Sequence, residues 1–166
     1  MEIVLVAAVS ENGVVGKDGG VPWSYPADVD QYKETVRGHP VIVGRRTFDE
    51  MEPIEGVSHL VLTSDDSRSD SRDDVEYVSD PAEAVSLAAA RDDVVYVIGG
   101  GAVYALYEPV ATGARVSRIP ETVEGDSFFP DLGDSWVPGE TIHYDGFEVE
   151  LFENRTPAAV DSLGRE

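Results

Sequence analysis

The segment Val21-Pro22-Trp23-Ser24-Tyr25-Pro26-Ala27-Asp28 carries a single carboxylate among aromatic and apolar residues. Asp28 and Tyr32 are four residues apart, so a helix that begins near Pro26 places both on one face. A carboxylate in the first turn stabilises the helix dipole, which is one interpretation of Asp28. The other is that it faces an apolar pocket beside Trp23 and Tyr32. There it would pair with a ring edge bearing two N–H donors.

A second motif, Gly44-Arg45-Arg46-Thr47-Phe48, follows the valine-rich run Val41–Val43. Arginines at a helix start oppose the helix dipole, and this placement becomes favourable when an anion lies there. Guanidinium groups and free backbone N–H groups together predict a phosphate site, to which Ser64 at the end of the next strand would add a hydroxyl. Two solvated surface arginines are the alternative.

A third motif is Val97-Ile98-Gly99-Gly100-Gly101-Ala102-Val103-Tyr104, a strand that turns into a helix. Its glycines would let the backbone approach a ligand closely, although they also suit a tight turn. Tyr104 stands where the dinucleotide-binding fingerprint needs a third glycine or alanine, so that fingerprint is absent. The segment Glu124–Pro130 reads as a turn followed by an aromatic anchor. His39, His59 and His143 lack metal-ligand spacing, so no metal site is predicted.

Alternating strands and helices must position these motifs. Apolar runs predict strands, and helical spacing with proline and glycine signals predicts helices. The predicted strands are 2–9, 41–43, 59–62, 75–78, 94–98, 115–119, 141–144 and 147–152, and the predicted helices are 26–38, 45–51, 81–90 and 101–107. Asp80 to Glu83 is typical of a capping box. The order indicates a single α/β domain with a largely parallel sheet, whose ligands bind at the carboxyl ends of the strands.

The composition bounds the function classes. The 166 residues contain no cysteine and carry 12 basic against 33 acidic side chains, a formal charge of −21. This charge disfavours nucleic-acid binding. No apolar run reaches the roughly 18 residues of a membrane span, and the N-terminal run is a poor signal peptide. We therefore expect a cytoplasmic protein. Acidic residues spread along the whole chain are typical of proteins from concentrated salt, where screening shortens the Debye length to about 3 Å; an acidic protein of ordinary salt is the alternative.

Taken in order, these motifs resemble dihydrofolate reductase from about Ile3 to Phe152. The resemblance is carried by Val15-Gly16, Pro22-Trp23, Pro26-Ala27-Asp28, Gly44-Arg45-Arg46-Thr47, Val97-Ile98-Gly99-Gly100-Gly101 and Glu124-Gly125-Asp126. It implies one reductase domain over 1–166, with an eight-stranded, mostly parallel sheet and four helices. Residues 39–90 would form the adenosine-binding portion, and 157–166 a tail. The implied reaction is NADPH-dependent reduction of dihydrofolate to tetrahydrofolate, with hydride transfer to C6 and protonation at N5.

The resemblance also implies roles for particular residues. Asp28 and Trp23 would be catalytic, with Trp23 ordering the water that delivers the proton. The substrate, or an antifolate such as methotrexate, would contact Ala8, Asp28, Tyr32, Lys33, Met51 and Ser117. The cofactor would contact Ala8, Gly16, Gly44, Arg45, Arg46, Thr47, Ser64, Ile98, Gly99, Gly100, Gly101, Val103 and Tyr104. Residues 16–21 would form a mobile loop that Asp126 braces, and the protein would be a monomer.

Val57 departs from the family pattern, because it falls where relatives have an arginine that binds the glutamate carboxylate of the substrate. Lys33 would compensate only in part, so we expect weaker discrimination for that tail. A riboflavin-pathway pyrimidine reductase of the same fold is the nearest alternative, and Pro22-Trp23 with Asp28 favours the folate reading. A nucleotide-binding module without catalysis and a purely structural acidic protein are the alternatives from other classes.

Overall fold

The computed structural model describes residues 1–17, 23–64 and 74–163. Its strands are β1 (Glu2–Ser10), β2 (Val14–Gly16), β3 (Val41–Gly44), β4 (His59–Leu62), β5 (Val75–Val78), β6 (Val94–Val97), β7 (Gly113–Ile119), β8 (Ser127–Phe128), β9 (Trp136–Tyr144) and β10 (Phe147–Asn154). Its helices are α1 (Pro26–Val36), α2 (Arg45–Asp49), α3 (Pro81–Ala89) and α4 (Gly101–Tyr107), with a 3-10 turn at Val160–Ser162.

Eight strands form one sheet in the order β5-β4-β3-β6-β1-β7-β10-β9. The six strands from β5 to β7 are mutually parallel, whereas β10 runs antiparallel to both β7 and β9. The predicted fold class, an eight-stranded and mostly parallel sheet with four helices, is confirmed. Parallel pairing brings the carboxyl ends of β4, β3, β6 and β1 to one edge of the sheet, and the chemical motifs follow these ends.

The central strand β1 is apolar on both faces, as expected for a parallel strand covered by helices on each side. Ile3, Leu5 and Val9 point into a core shared with α3 and α4. Val6 points into a second core on the opposite face, where Val36 of α1 and Phe48 of α2 pack. The sheet is thus held rigidly between two apolar layers, and its carboxyl edge is a firm base for a binding site.

Most predicted elements are found within two residues of their expected bounds, and Asp80 caps α3 by accepting a hydrogen bond from the Ala82 N–H at 3.0 Å. Three regions differ. The segment between β1 and α1 contains β2, which was not predicted and pairs with β8 in a small separate sheet. Strand β9 begins at Trp136, five residues earlier than predicted. Val29 is 43% exposed, although its spacing from Tyr32 and Val36 on α1 is typical of the apolar stripe of a helix.

The C-terminal tail had no predicted role, and its described part docks against the domain. The Ala158 N–H donates to the Pro109 carbonyl at 2.8 Å, and Leu163 is buried against the core beside α3. The described helices include none with the length and apolar character that a bilayer crossing would need.

Candidate active site

Asp28 lies in the first turn of α1 and is only 7% exposed. Pro26 opens the helix without a side-chain cap, and its turn directs Asp28 towards the sheet. The Ser117 hydroxyl, on β7, donates to Oδ1 of Asp28 at 2.5 Å, and Nε2 of Gln31 donates to the same oxygen at 2.8 Å. Among the described residues, none donates to Oδ2. The carboxylate is therefore fixed through one oxygen, and the other remains available to a ligand.

Asp28 opens into a cavity of about 560 Å³, which we call the Asp28 cavity. Its walls are mainly apolar and come from α1, from the carboxyl ends of β1 and β6, and from the segment after α2. The cavity extends from Asp28 and Ser117 to the turn Ile98-Gly99-Gly100. A flat ring held at Asp28 and a second ring held at the glycine turn would thus share one compartment. Asp28 therefore faces the cavity rather than solvent.

The cavity brings together every residue predicted to bind substrate. Its lining includes Trp23, Ala8, Asp28, Tyr32, Lys33, Met51 and Ser117. Ala8 and Ser117 are register partners in neighbouring strands, which sets them at one depth in the cavity. Lys33 is the only cationic residue in the described lining, and Asp30 and Glu52 accompany it there.

The predicted cofactor residues divide into two groups. Seven of them line the cavity, namely Ala8, Gly16, Thr47, Ile98, Gly99, Gly100 and Tyr104. The others lie outside it, beyond the carboxyl ends of β3, β4 and β6. We call this second group the arginine face; it comprises Gly44, Arg45, Arg46, Ser64, Gly101 and Val103. The strand order places these three carboxyl ends side by side, so the arginine face adjoins the cavity.

Glycines join the two regions by close backbone packing. The Gly44 N–H donates to the Gly99 carbonyl at 2.8 Å, and the Gly99–Gly100 peptide bond is cis. A Cβ added to Gly100 would lie 2.9 Å from Oγ1 of Thr47, and one added to Gly101 would lie 2.7 Å from the Phe128 carbonyl oxygen. The lack of side chains thus lets the glycine turn pack closely against Thr47 and Phe128.

The two arginines lie beside acidic residues of this chain. Nη1 of Arg45 is 3.8 Å from Oδ2 of Asp49, and Nη2 of Arg46 is 3.8 Å from Oδ2 of Asp126. These are long contacts between exposed groups, and such pairs contribute little stability. Asp126 also donates its N–H to the Gly16 carbonyl at 3.1 Å. Residues 18–21 of the predicted mobile loop, which spans 16–21, lie outside the described residues.

Two phenols near Asp28 are held protonated. Burial raises the pKa of Tyr32 far above its ordinary value, and the nearby Asp28 charge raises it further. Burial likewise raises the pKa of Tyr104, with smaller contributions from Tyr32 and Asp28. The Tyr104 hydroxyl donates to the Val6 carbonyl at 2.6 Å, which anchors α4 to β1 beside the glycine turn. The two phenols near Asp28 thus carry no charge.

Sequence reasoning missed several cavity residues. Gln31, three positions after Asp28, contacts it directly, and the helical i to i+3 spacing is the signal that would have identified it. Ile54 lines the cavity from an irregular segment, where its N–H donates to Nε2 of the buried His59 at 3.0 Å. No local pattern marks such a residue.

Val57 is 1% exposed and packs in the core with Phe48 and Val61. Its position therefore offers no cation to the cavity, in agreement with the departure noted in the sequence. Within the described ranges, no cluster of histidine, aspartate or glutamate side chains suits a metal ion.

Comparisons with known proteins agree with this architecture. The dihydrofolate reductase family model matches residues 2–148. Dihydrofolate reductase 1 of Haloarcula marismortui is 47% identical, covering 98% of this chain and 96% of the relative. Dihydrofolate reductase HdrB of Haloferax volcanii is 37% identical, covering 100% and 90%. Enterococcus faecalis dihydrofolate reductase, solved with NADP(H) and RAB-propyl, superposes with a TM-score of 0.81 at 26% identity, covering 92% of this chain and 95% of that one.

The two relatives from haloarchaea support the prediction of a protein adapted to concentrated salt. The matches do not favour a riboflavin-pathway reductase, and they confirm the predicted enzyme class and its cofactor, NADPH. From its matching sequence over nearly the full length and its shared fold, the chain belongs to the dihydrofolate reductase family, which reduces dihydrofolate to tetrahydrofolate with NADPH.

Proposed function

We propose that Asp28 is the carboxylate of the reaction and that the Asp28 cavity holds the pteridine ring of dihydrofolate against it. The observation that carries this assignment is a buried carboxylate, 7% exposed, in an apolar cavity that reaches the glycine turn. Asp28 would accept hydrogen bonds from the 2-amino group and from N3 of the ring. A charge-assisted pair of this kind fixes both the position and the orientation of a flat ring.

The residues beyond the ring site suit NADPH, which supplies a hydride to C6 of dihydrofolate when bound. Ile98 and Tyr104 would flank the nicotinamide, since both line the far end of the cavity. Gly100 and Gly101 have no room for a Cβ, and their bare backbone would face the pyrophosphate.

Arg45, Arg46, Thr47 and Ser64 would hold the cofactor phosphates, with Arg45 and Ser64 contacting the 2′-phosphate. In this assignment residues 39–90 form the adenosine-binding portion. Guanidinium groups suit phosphate because they donate two parallel hydrogen bonds. At molar salt the long-range repulsion between an acidic protein and an anionic cofactor is largely screened. Recognition would then depend on direct contacts.

The chain's own contribution to the reaction is to position the ring, exclude water and favour protonation at N5. The Asp28 carboxylate would stabilise the protonated ring electrostatically, as a fixed charge does in a poorly hydrated site. Trp23, on the cavity wall, orders the water that delivers the proton. Residues 16–21 would close over the nicotinamide, and loop closure of this type often governs turnover.

This protein would bind the glutamate tail of the substrate more weakly than relatives with an arginine at the Val57 position. Val57 is buried in the core, whereas Lys33 on the cavity wall is accompanied by Asp30 and Glu52. A lone ammonium beside two carboxylates attracts an anion less strongly than an unopposed guanidinium group. Lys33 would therefore contribute modestly to affinity.

The same proposal includes inhibition by methotrexate, a monomeric state and a cytoplasmic location. The test is NADPH oxidation with dihydrofolate in molar salt, with methotrexate as a competitor and the riboflavin-pathway pyrimidine as the alternative substrate. We expect oxidation that requires dihydrofolate and that methotrexate abolishes. Turnover of the pyrimidine alone, or NADPH binding without turnover, would contradict the assignment.

A further inference from the structure

Three side chains form a closed hydrogen-bonded group at the base of the cavity. Nε2 of Gln31 lies 2.8 Å from Oδ1 of Asp28 and 3.3 Å from Oγ of Ser117, and Oγ of Ser117 lies 2.5 Å from Oδ1. Nε2 of Gln31 therefore donates to the carboxylate and makes a longer contact with the hydroxyl, while the hydroxyl proton goes to the carboxylate.

This pattern fixes the orientation of the Gln31 amide. If the amide were reversed, Oε1 would face Oδ1 of Asp28, and two acceptors would repel each other. Oδ1 accepts from both donors, so Gln31 and Ser117 together fix the position of the carboxylate. Hydrogen bonds to the charged form of a carboxylate favour that form, so removing a donor should be visible in the pH profile of a variant.

The second observation concerns the other end of the amide. Oε1 of Gln31 is buried and has no hydrogen-bond partner among the described residues. A buried acceptor without a partner is unfavourable, and native structures rarely keep one without a purpose. Gln31 itself lines the cavity, and its amide keeps the orientation that serves Asp28 although this gives Oε1 no partner in the described part of the chain.

We propose that Gln31 is a positioning residue of the reaction: it binds Oδ1 of Asp28 together with Ser117 and so presents Oδ2 to the ring edge of the substrate. This inference rests on the proposed role of Asp28. A helix surface offers many positions for a glutamine, and the i+3 position is one of the few that lie beside Asp28.

The test compares Gln31→Met with wild type, since methionine keeps the length of the side chain and removes both N–H donors. We expect kcat/KM for dihydrofolate to fall about tenfold and the Kd of NADPH to stay within twofold. A 2,4-diaminopyrimidine inhibitor needs the ionised carboxylate. The pH below which its affinity falls should therefore move up by about one unit, because two donors to Oδ1 become one.

Other charges around Asp28 are unchanged in this variant. The titratable groups that share the cavity with Asp28 are Tyr25, Asp30, Tyr32, Lys33, Glu52 and Tyr104. Glu34→Met provides the matched control, since Glu34 is exposed on the same helix and pairs with Arg37. It makes the same apolar substitution on α1 without touching Asp28, and we expect its kinetics and pH profile to follow wild type.

Gln31→Glu separates the loss of the donor from any change of packing in the methionine variant. It keeps the size of the side chain and places an acceptor towards Oδ1. We expect a larger upward movement of the pH midpoint and partial recovery of rate at low pH, where the introduced carboxyl group is protonated and regains a donor. Two results would overturn the proposal. One is a lower kcat/KM in the methionine variant with no movement of the pH midpoint in either variant, and the other is a change in kcat/KM below twofold in both variants.

Asp28→Asn is measured in parallel so that two failures remain distinguishable. If Asp28→Asn is inactive and the Gln31 variants behave as wild type, only the role of Gln31 is wrong. If Asp28→Asn is active, the proposed role of the carboxylate fails first.

Discussion

Asp28 is 7% exposed at the base of the cavity, whereas Arg45 and Arg46 on the arginine face keep 45% and 66% of their side chains in solvent. In the cavity, short hydrogen bonds fix one carboxylate before any ligand arrives. On the arginine face, each guanidinium group lies 3.8 Å from an acidic side chain of the same chain. Ligand binding therefore adds to an existing arrangement in the first region and must displace or rearrange contacts in the second.

The difference matters for a protein that carries a charge of −21. Salt screens charges that stand in water and affects buried groups much less. Chemistry in the cavity should thus be nearly independent of ionic strength, while the charge-dependent part of cofactor selection should vary with it. Four measurements would break or sharpen this contrast.

The largest effect is expected from Asp28→Asn, which removes the only charge of the hydrogen-bonded group in the cavity. We expect kcat/KM for dihydrofolate at pH 7 to fall by about 10² to 10³-fold, in the range for losing a group that assists proton transfer. The rate should recover partly in acid, where the substrate arrives protonated. The Kd of NADPH is the control, and near-normal turnover at pH 7 would remove Asp28 from the mechanism.

Arg45→Ala tests the arginine face. Losing one charged hydrogen bond from an exposed side chain should raise the KM for NADPH about tenfold and that for NADH less than twofold. Arg91→Ala serves as the matched control, since Arg91 pairs with Glu76 away from the site. A similar rise for both cofactors would show that Arg45 does not recognise the 2′-phosphate.

Lys33 is a cation on the wall of the Asp28 cavity. We expect Lys33→Met to raise the KM for dihydrofolate about threefold in dilute buffer and less in molar salt, because a partly exposed ion pair is screened. An analogue without the glutamate tail should be insensitive to the substitution. Removing the glutamate tail from the substrate should also lower kcat/KM less in this protein than in a relative with arginine at the Val57 position. An equal decrease in both proteins would refute the weaker binding of the tail.

The smallest effect is expected for His39 and Asp92, a pair distant from catalysis whose Nδ1 and Oδ2 atoms are 2.5 Å apart. The hydrogen bond from His39 lowers the pKa of Asp92 below its usual 3.8. A carboxyl group whose pKa is lowered by folding stabilises the fold at pH values above its pKa in the unfolded state. This contribution is lost as the pH falls through the pKa of the folded state. The difference in Tm between wild type and His39→Ala should therefore shrink from pH 5 towards pH 3. A constant difference would mean that packing against Tyr96 accounts for the effect.

Much of this architecture could be predicted because its signals are local. Apolar runs indicated β1 and β4, and the proline and capping signals indicated the start of α3. The short strands β2 and β8 were missed because tertiary packing creates them: a Cβ on Gly125 would lie 2.7 Å from the Gly16 carbonyl oxygen, so only glycine allows these segments to meet. A two-residue strand has no period to detect.

The residues of the site also divide into those that local sequence signals identify and those that only the folded structure brings together. Asp28 could be identified from its neighbours along the chain, and the resemblance supplied its partner Ser117. Gln31 could not be recognised from its type, because an isolated glutamine on a helix usually faces solvent. The spacing of apolar residues on α1 also did not predict that Val29 is exposed. The apolar stripe of the helix ends there at the cavity, where no other described element covers it.

Leu163, buried beside α3 near the end of the chain, has a practical consequence for anyone who handles this protein. A purification tag or reporter fused after Glu166 leaves that side chain in place. Trimming the chain back to Pro157, which sequence inspection alone would encourage, would uncover an apolar patch on a surface otherwise rich in carboxylates. Aggregation of the shortened protein, worsening as salt is added, would be its visible sign.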